Sequence, residues 1–242
     1  MKDIQSQLDT RQVDIKKVGV KTICYPITVL DKAHNRQHTV AHVNMYVNLP
    51  HRFKGTHMSR FIEILNRFRG EIDLNSFRSI LEEMKKRLQA EAAHIEISFP
   101  YFLRKNNDGT LLQACRYECQ MHGSLENTDE LELQFIVPIS LPVNLQGASG
   151  MPRSLGHWGN AVIRVRFRHF VWIEDLIMQV ERCILDVLQE DRNHDAVLSV
   201  EGLTGRISEK LLTQREIKWY SVSVENLGAG YSTFAATESG QR

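Results

Sequence analysis

The sequence predicts an α+β fold in which one arrangement, two strands, two helices and two strands, occurs twice. Segments of alternating apolar and polar residues come in pairs, which is typical of half-buried antiparallel strands. Each half also holds two segments whose apolar residues recur at three- and four-residue spacing, which is typical of amphipathic helices. We therefore expect an N-terminal lead-in over 1–17, a first ββααββ half over 18–126 and a second over 127–242.

The first half opens with two segments that predict a β-hairpin. Residues 18–29 are rich in β-branched residues, and Pro26 is expected to break the strand. The polar run DKAHNR is typical of a turn. The strand HTVAHVNMYVNL follows, and we expect it to bury one face. The residues assigned to that face are Val40, Val43, Met45 and Val47.

Two helices and two strands complete the first half. Thr56 or Ser59 is expected to cap the first helix and Gly70 to end it. Its buried stripe is predicted to be Phe61, Ile64, Leu65 and Phe68. The second helix is predicted from about Asp73 to Ala92, and strands HIEISFPYFL and LLQACRYECQMHG flank a turn at NNDGT.

The second half repeats this order. A strand over 131–143 precedes a glycine-rich loop over 144–160. The strand NAVIRVRFRHFV places arginines on one face, which we expect to line the interior of a closed or oligomeric barrel. Helices are predicted over 172–188 and 197–212, the run EDRNHD between them is interpreted as a solvated loop, and IKWYSVSVENL and YSTFAAT form the last strands.

Composition narrows the class of protein. Thirty basic and 29 acidic residues give a formal net charge of +1, which offers no broad electrostatic basis for binding nucleic acid or an anionic membrane. The N-terminus is polar and lacks the apolar core of a signal peptide, and no apolar run reaches the roughly 18 residues of a membrane span. Four cysteines without CxxC spacing favour a reducing cytoplasm.

Specific motifs carry a resemblance to a known family. The run Gln37–Leu65 contains KGTHMSRF, and HIEISFPYF, FIVPISLPV, FVWIEDLI and KWYSVSVENL extend the similarity along the chain. These segments resemble GTP cyclohydrolase type IB. The resemblance implies a tandem tunnelling fold, a homotetramer with sites at subunit interfaces, and conversion of GTP to 7,8-dihydroneopterin triphosphate and formate, the first step of folate biosynthesis.

The resemblance also implies a divalent metal such as zinc, manganese or iron, but this sequence departs from the family's ligand pattern. Gly147 stands where the family has its ligand cysteine, and glycine has no side chain to offer. His157 is the nearest candidate for the histidine ligand. The family's glutamate and two histidines after the penultimate strand are absent here, where Gly228, Ala229, Gly230 and Tyr231 stand.

Other candidate site residues follow from the same resemblance. Alignment back from Lys218-Trp219 matches Glu201 to the glutamate that anchors a purine or pterin edge, and its carboxylate suits that task because it accepts two hydrogen bonds. Lys54 and Arg60 are candidate phosphate partners, and His57 and His157 are candidate catalytic groups. The alternatives are a solvated or capping Glu201, surface charges at Lys54 and Arg60, and a structural His57.

These residues leave three hypotheses open. The first is a family member that binds a purine or pterin with a lost or rebuilt metal site. The second is a working cyclohydrolase with an unusual metal site that includes His157. The third is a catalytically inactive paralogue that acts as a structural or regulatory subunit of an active homologue.

Overall fold

A computed structural model describes most of the chain. The backbone is described for residues 15–32, 35–49, 57–68, 71–72, 74–107, 111–126, 128–142, 154–194 and 198–240. Side chains are described for residues 17–32, 35–48, 57–68, 76–103, 115–126, 128–140, 158–188 and 198–240. Most of the predicted lead-in over 1–17, the candidate cap Thr56, Gly70 and the turn at 108–110 lie outside the described residues.

The chain divides into two compact units, and the first comprises residues 1–101 and 119–133. Its elements are strand β1 (Ile15–Asp31), strand β2 (Asn35–Leu49), helix α1 (Ser59–Arg67), strand β3 (Glu71–Ile72), helix α2 (Leu74–Leu88), the first part of strand β4 (Ala93–Asn107) and the last part of strand β5 (Leu111–Leu125). The strand order is β3-β1-β2-β4-β5, with β1 antiparallel to β2 and β2 antiparallel to β4.

The second unit comprises residues 102–118 and 134–242. Its own elements are the larger part of strand β6 (Asp129–Pro142), strand β7 (Ser154–Phe167), helix α3 (Ile173–His194), helix α4 (Val200–Leu212), strand β8 (Ile217–Leu227) and strand β9 (Ser232–Glu238). The strand order is β6-β7-β8-β9, and β7, β8 and β9 pair antiparallel. The predicted ββααββ order is confirmed in both halves, with the two-residue β3 as an addition.

The apolar alternation of β2 builds the core of the first unit. Val43, Met45 and Val47 are fully buried, as predicted, but Val40 is 52% exposed and that part of the prediction is wrong. Because side chains alternate along a strand, a residue three positions from Val43 must face the other side. Ala41 takes the inward position instead and is fully buried.

The first helix keeps most of its predicted stripe but not its predicted cap. Phe61, Ile64 and Leu65 are fully buried, as predicted, but Phe68 is the residue after the helix and is only partly buried, so that part of the prediction is wrong. Met58 is the N-cap residue and makes no side-chain capping bond, and Ser59 is the first helical residue. The predicted cap at Ser59 is therefore wrong.

Several predicted boundaries are also wrong. Pro26 lies inside β1, paired with Val40, and does not break the strand. The described residues of β3 pair with β1 only at Thr28 and Val29, so among the described strands β1 has β2 alone as its partner at Pro26, and a proline is tolerated at such an edge position. Helix α2 ends at Leu88 rather than Ala92, β7 begins at Ser154 inside the predicted loop, and α3 continues to His194 through the predicted loop EDRNH.

Among the described residues, helices cover one face of the strands of each unit and leave the other face free. In β7, Ala161, Ile163 and Val165 are fully buried, whereas Arg164 lies on the opposite face and is exposed. The placement of the arginines on one face is confirmed, and their role in a barrel interior stays a prediction. Among the described residues, no helix is long and apolar enough to span a membrane.

Candidate functional site

The N-terminal turn of α4 positions Glu201. Ser199 is the N-cap residue, and its Oγ accepts a hydrogen bond from the Gly202 N–H at 3.0 Å. Glu201 lies in the first turn and is exposed. A carboxylate there is favoured by the partial positive charge of the helix N-terminus, so its position has a structural reason before any ligand is considered. Glu201 does not cap the helix, because Ser199 does.

Helix α4 is fastened to strand β9 beside this carboxylate. Thr204 is 4% exposed, and its Oγ1 lies 2.7 Å from the Val200 carbonyl oxygen and 3.2 Å from that of Ala235 in β9. Further along, Ser208 Oγ lies 2.9 Å from the Tyr220 hydroxyl. The buried residues Leu203, Ile207 and Leu211 complete the apolar side of the helix. The carboxylate is therefore presented from a helix that is fixed on both strands beneath it.

A shallow groove of about 460 Å³ runs between α4 and β9. It is lined by Glu201, Thr204, Gly205, Ser208 and Glu209 from the helix and by Ala235, Ala236 and Thr237 from the strand. Apart from its chain neighbours and the backbone of its own helix, no described atom lies within 4 Å of the position that a Cβ at Gly205 would take, so the groove is open beside Glu201. Its chemistry is that of a carboxylate acceptor next to the backbone of the last strand of the sheet.

Two candidates from KGTHMSRF lie in the first unit and are brought together at the start of α1. The Arg60 N–H donates to the His57 carbonyl oxygen at 3.1 Å. The Arg60 guanidinium donates through Nη1 to the Arg87 carbonyl oxygen at 3.3 Å, near the end of α2. Arg60 thus satisfies a helix C-terminal carbonyl and retains further N–H donors. His57 is half-buried, and Lys54 lies outside the described residues.

The described residues do not form a metal site. No group of three or more histidine, cysteine, aspartate or glutamate side chains in the described part of the chain could hold an ion. His157 has a described backbone in β7, but its side chain lies outside the described set, and Gly147 lies outside the described residues altogether. A metal needs three or four converging donors, so we derive no chemical step through one.

Sequence reasoning missed a polar network on the free face of the first unit. The Tyr46 cluster comprises Lys17, Asn44, Tyr46, His94, Glu96 and His122. Glu96 accepts hydrogen bonds from Asn44 Nδ2 at 2.9 Å and from the Tyr46 hydroxyl at 3.0 Å. Lys17 Nζ lies 3.5 Å from the Tyr46 ring centroid. The signal was present, because Asn44, Tyr46, His94 and Glu96 alternate with the buried Met45 and Ile95.

The electrostatics of the Tyr46 cluster follow from these contacts. Burial and the neighbouring Glu96 carboxylate raise the pKa of Tyr46 to about 12. Burial alone would raise the pKa of Glu96, but the hydrogen bonds from Asn44 and Tyr46 outweigh it, and that pKa is lowered. Burial, His122 and Lys17 lower the pKa of His94, whose ring stacks on Tyr46 with centroids 4.9 Å apart. At neutral pH the cluster therefore holds a phenol, a carboxylate and a neutral His94.

The lowered pKa of His94 predicts a pH dependence of stability. The unfolded histidine binds a proton near its ordinary pKa of 6.5, whereas the folded one does so only at lower pH. The free energy of unfolding should therefore fall as the pH drops below about 6.5, since the unfolded state binds more protons. His94→Phe keeps a ring in the stack and should flatten this dependence. Urea unfolding at several pH values measures it, and the exposed-site variant His169→Asn should behave as the parent. Equal pH slopes in the parent and His94→Phe would contradict the assignment.

Comparison with known proteins identifies the family. The family model described as type I GTP cyclohydrolase FolE2 matches residues 1–228. GTP cyclohydrolase FolE2 of Geotalea uraniireducens is 40% identical over an alignment of 262 positions, covering 100% of this chain and 94% of the relative. GTP cyclohydrolase FolE2 of Syntrophobacter fumaroxidans is 41% identical over 254 positions, covering 98% of this chain and 99% of the relative.

Solved structures are similar in fold. Uricase from Arthrobacter globiformis has a TM-score of 0.58 at 8% identity, covering 93% of this chain and 92% of its own. Urate oxidase from Bacillus sp. TB-90 has a TM-score of 0.61 at 8% identity, covering 94% of this chain and 100% of its own. At such identities the likeness concerns the fold alone, and it confirms the predicted tandem tunnelling fold. On the family match and the full-length identity, the chain belongs to the type I GTP cyclohydrolase family FolE2.

Proposed function

We propose that this protein is a GTP cyclohydrolase that converts GTP and water to 7,8-dihydroneopterin triphosphate and formate, the first step of folate biosynthesis. The full-length identity of about 40% to FolE2 relatives carries the proposal. A shared sequence over the whole chain favours a shared activity over a separate role as an inactive subunit.

Within this reaction we assign Glu201 as the anchor of the guanine and pterin edge. The support is its exposure in an open groove and its fixed backbone, since α4 is capped by Ser199 and tied to β9 by Thr204. A carboxylate accepts hydrogen bonds from a ring N–H and an exocyclic amine together. Lys54 and Arg60 are proposed to contact the triphosphate, and His57 and His157 to serve proton transfer.

We further propose a homo-oligomer, as a tetramer, in which a second subunit completes each site. The support is strand β9, which ends the strand order of its sheet and lies beside the groove of Glu201. Tyr231, just before this strand, and Phe234, within it, are 77% and 71% exposed, an arrangement typical of an edge that pairs with another chain. A cytoplasmic location is supported by the four cysteines, which form no disulfide among the described residues.

A turnover assay tests the function and its metal requirement together. Purified protein would be incubated with GTP alone and with zinc, manganese or iron in turn, and the fluorescent neopterin product followed. Turnover in any arm supports the proposal, and the arm that supports it identifies the metal requirement. If the folded protein shows no turnover in any arm, the proposal is contradicted and the inactive paralogue is favoured. If a metal is required, His157→Ala should lose metal-dependent turnover when the ion is bound at His157. It should keep that turnover when the ion is bound elsewhere.

The glycine beside Glu201 gives a prediction with two separate readouts. Gly205→Ala should raise the free energy of unfolding by about 0.5–1 kcal/mol, because alanine favours a helix over glycine and its Cβ meets no atom. The same methyl group narrows the groove and should raise the KM for GTP. Thermal unfolding and steady-state kinetics measure the two effects. A stabilised variant with unchanged KM would show that the ligand does not lie over Gly205.

A further inference from the structure

Asn226 lies where three strands of the second unit meet. It belongs to β8, the middle strand in the order β7-β8-β9, and it pairs with Gly159 in β7 and with Thr233 in β9. Its side chain is half-buried, and its Nδ2 donates a hydrogen bond to the Trp158 carbonyl oxygen at 2.9 Å. Asn226 therefore joins β8 to β7 through its side chain as well as through strand pairing.

The backbones of β7 and β8 approach each other closely at this point. A Cβ added to Gly159 would lie 2.0 Å from the Glu225 carbonyl oxygen and 3.1 Å from the Asn226 Cα. A glycine inside a strand is typical of such a close approach. Because glycine contributes no side-chain packing, the hydrogen bond from Asn226 adds a specific contact that fixes the N-terminal part of β7 on the C-terminal part of β8.

The N-terminus of α4 lies at the same end of these strands. Thr204 contacts Ala235 near the start of β9. Ser208, one turn further along α4, contacts Tyr220 near the start of β8, which antiparallel pairing places beside the end of β9. Helix α4 therefore runs in the direction of β9. Glu201 comes before Thr204, so it lies towards the start of β9, where that strand pairs with the end of β8.

The candidate histidine belongs to the strand on the other side of β8. His157 directly precedes Trp158 in β7, so the carbonyl group that Asn226 holds belongs to the next residue along the chain. The backbone of His157 and the helix turn of Glu201 are thus brought to one end of the unit, with Asn226 on the strand between them. A misplacement of about 1 Å between groups that act on one substrate can lower a rate by about 100-fold.

We propose that Asn226 is a positioning residue of the reaction, whose amide fixes the β7 backbone beside His157 relative to Glu201. This inference rests on the proposed function, in which Glu201 anchors the ring of GTP and His157 serves proton transfer. Asn226 acts through the Trp158 carbonyl group rather than on the substrate. An amide suits this role because its NH₂ group is a donor, whereas an ionised carboxylate of the same shape only accepts.

Steady-state kinetics of Asn226 variants with GTP tests the proposal. Asn226→Ala should lower kcat about tenfold and leave KM within about twofold of the parent, because Glu201 still binds the ring while the reacting groups are misplaced. Asn226→Gln keeps an N–H donor and should retain more of kcat than Asn226→Ala. Asn226→Asp keeps the shape without the donor, and it provides the same test if Asn226→Ala does not fold.

A matched control separates positioning from general stability. Ser239 Oγ accepts a hydrogen bond from the Tyr220 N–H at 3.0 Å, at the opposite end of β8 and β9. Ser239→Ala therefore also removes a side-chain hydrogen bond to the backbone of this sheet, and it should leave kcat unchanged. Hydrogen exchange gives a readout besides activity, since Asn226→Ala should speed exchange of the amides over 158–160 and Ser239→Ala should not.

A double-mutant cycle tests whether Asn226 acts through His157. In a His157→Ala background, Asn226→Ala should change kcat by less than about twofold, because residues that act as a unit are not additive. An equal loss of kcat in both backgrounds would show a general structural role and overturn the inference.

Three further outcomes decide the inference. An active parent whose Asn226→Ala variant keeps its kcat overturns this inference alone and leaves the proposed function standing. Unchanged hydrogen exchange over 158–160 also overturns it, because the amide then does not fix that segment. A folded parent without turnover contradicts the proposed function before any Asn226 variant is measured, and the inference fails with it.

Discussion

Replacing Glu201 with glutamine is expected to lower kcat/KM for GTP about 100-fold. The proposed carboxylate makes two charge-assisted hydrogen bonds to the ring, and the amide can accept at only one atom. A loss of about 2.7 kcal/mol of transition-state stabilisation corresponds to this factor. Steady-state kinetics with the fluorescent product measures it. Glu201→Asp keeps the charge but withdraws it by one methylene, and should fall between the parent and Glu201→Gln.

Stability and a matched control separate this effect from damage to the fold. Glu201 is exposed in the first turn of α4, so its loss costs only the helix-terminus interaction, about 0.5 kcal/mol. Asp186→Asn removes an exposed carboxylate from α3 and should leave kcat/KM unchanged. If Glu201→Gln keeps kcat/KM within about twofold of the parent, the carboxylate is not the anchor and its role is confined to the helix N-terminus.

A methyl group at position 123 is expected to have a large effect on stability. A Cβ on Gly123 would lie 2.2 Å from Cε1 and 2.7 Å from Cδ1 of Phe77, a residue that is only 1% exposed. Helix α2 packs on β5 at this point, so the ring cannot move into solvent. Gly123→Ala should therefore lower the free energy of unfolding by about 3 kcal/mol. Urea unfolding with an unchanged m-value measures the loss.

Phe77, the residue that the added methyl group would clash with, provides the control. In a Phe77→Leu background the ring is gone, and Gly123→Ala should cost less than about 1 kcal/mol, which gives a coupling energy of roughly 2 kcal/mol. Gly240→Ala, where no atom lies within 4 Å of the added Cβ, should leave the stability unchanged. Equal costs of Gly123→Ala with and without Phe77 would show that another contact requires the glycine.

The periodicity of the sequence was sufficient for the order of elements but not for their ends. The 3.6-residue stripe of Phe61, Ile64 and Leu65 and the alternation of Val43, Met45 and Val47 are strong because burial imposes them. The sequence signal for the end of an element is weaker. Helix α3, for example, continues to His194 through polar residues whose helix propensity competes with turn formation. Pro26 was misread since its effect depends on whether β1 has a partner on that side.

The candidate site was predictable only in part. Glu201 was found by alignment to a family, and no pattern of charge or spacing singles it out. The Tyr46 cluster was missed because its members come from strands far apart in sequence: Lys17, Tyr46, His94 and His122 meet only through strand pairing. Which of them contact each other depends on register, and short-range patterns do not determine register between distant strands.

The hydroxyl of Thr204 has a consequence for how the groove opens. It has one proton and two carbonyl neighbours, and the shorter contact, 2.7 Å, is to its own helix, while the contact to Ala235 is 3.2 Å. Strand β9 is otherwise largely exposed and pairs with β8 alone among the described strands. Its amides should exchange with solvent through local opening long before the rest of the sheet unfolds. We therefore expect the strand that forms one wall of the groove beside Glu201 to be the least protected strand of the unit. A ligand that contacts both Glu201 of α4 and strand β9 would be detected as slower hydrogen exchange in β9.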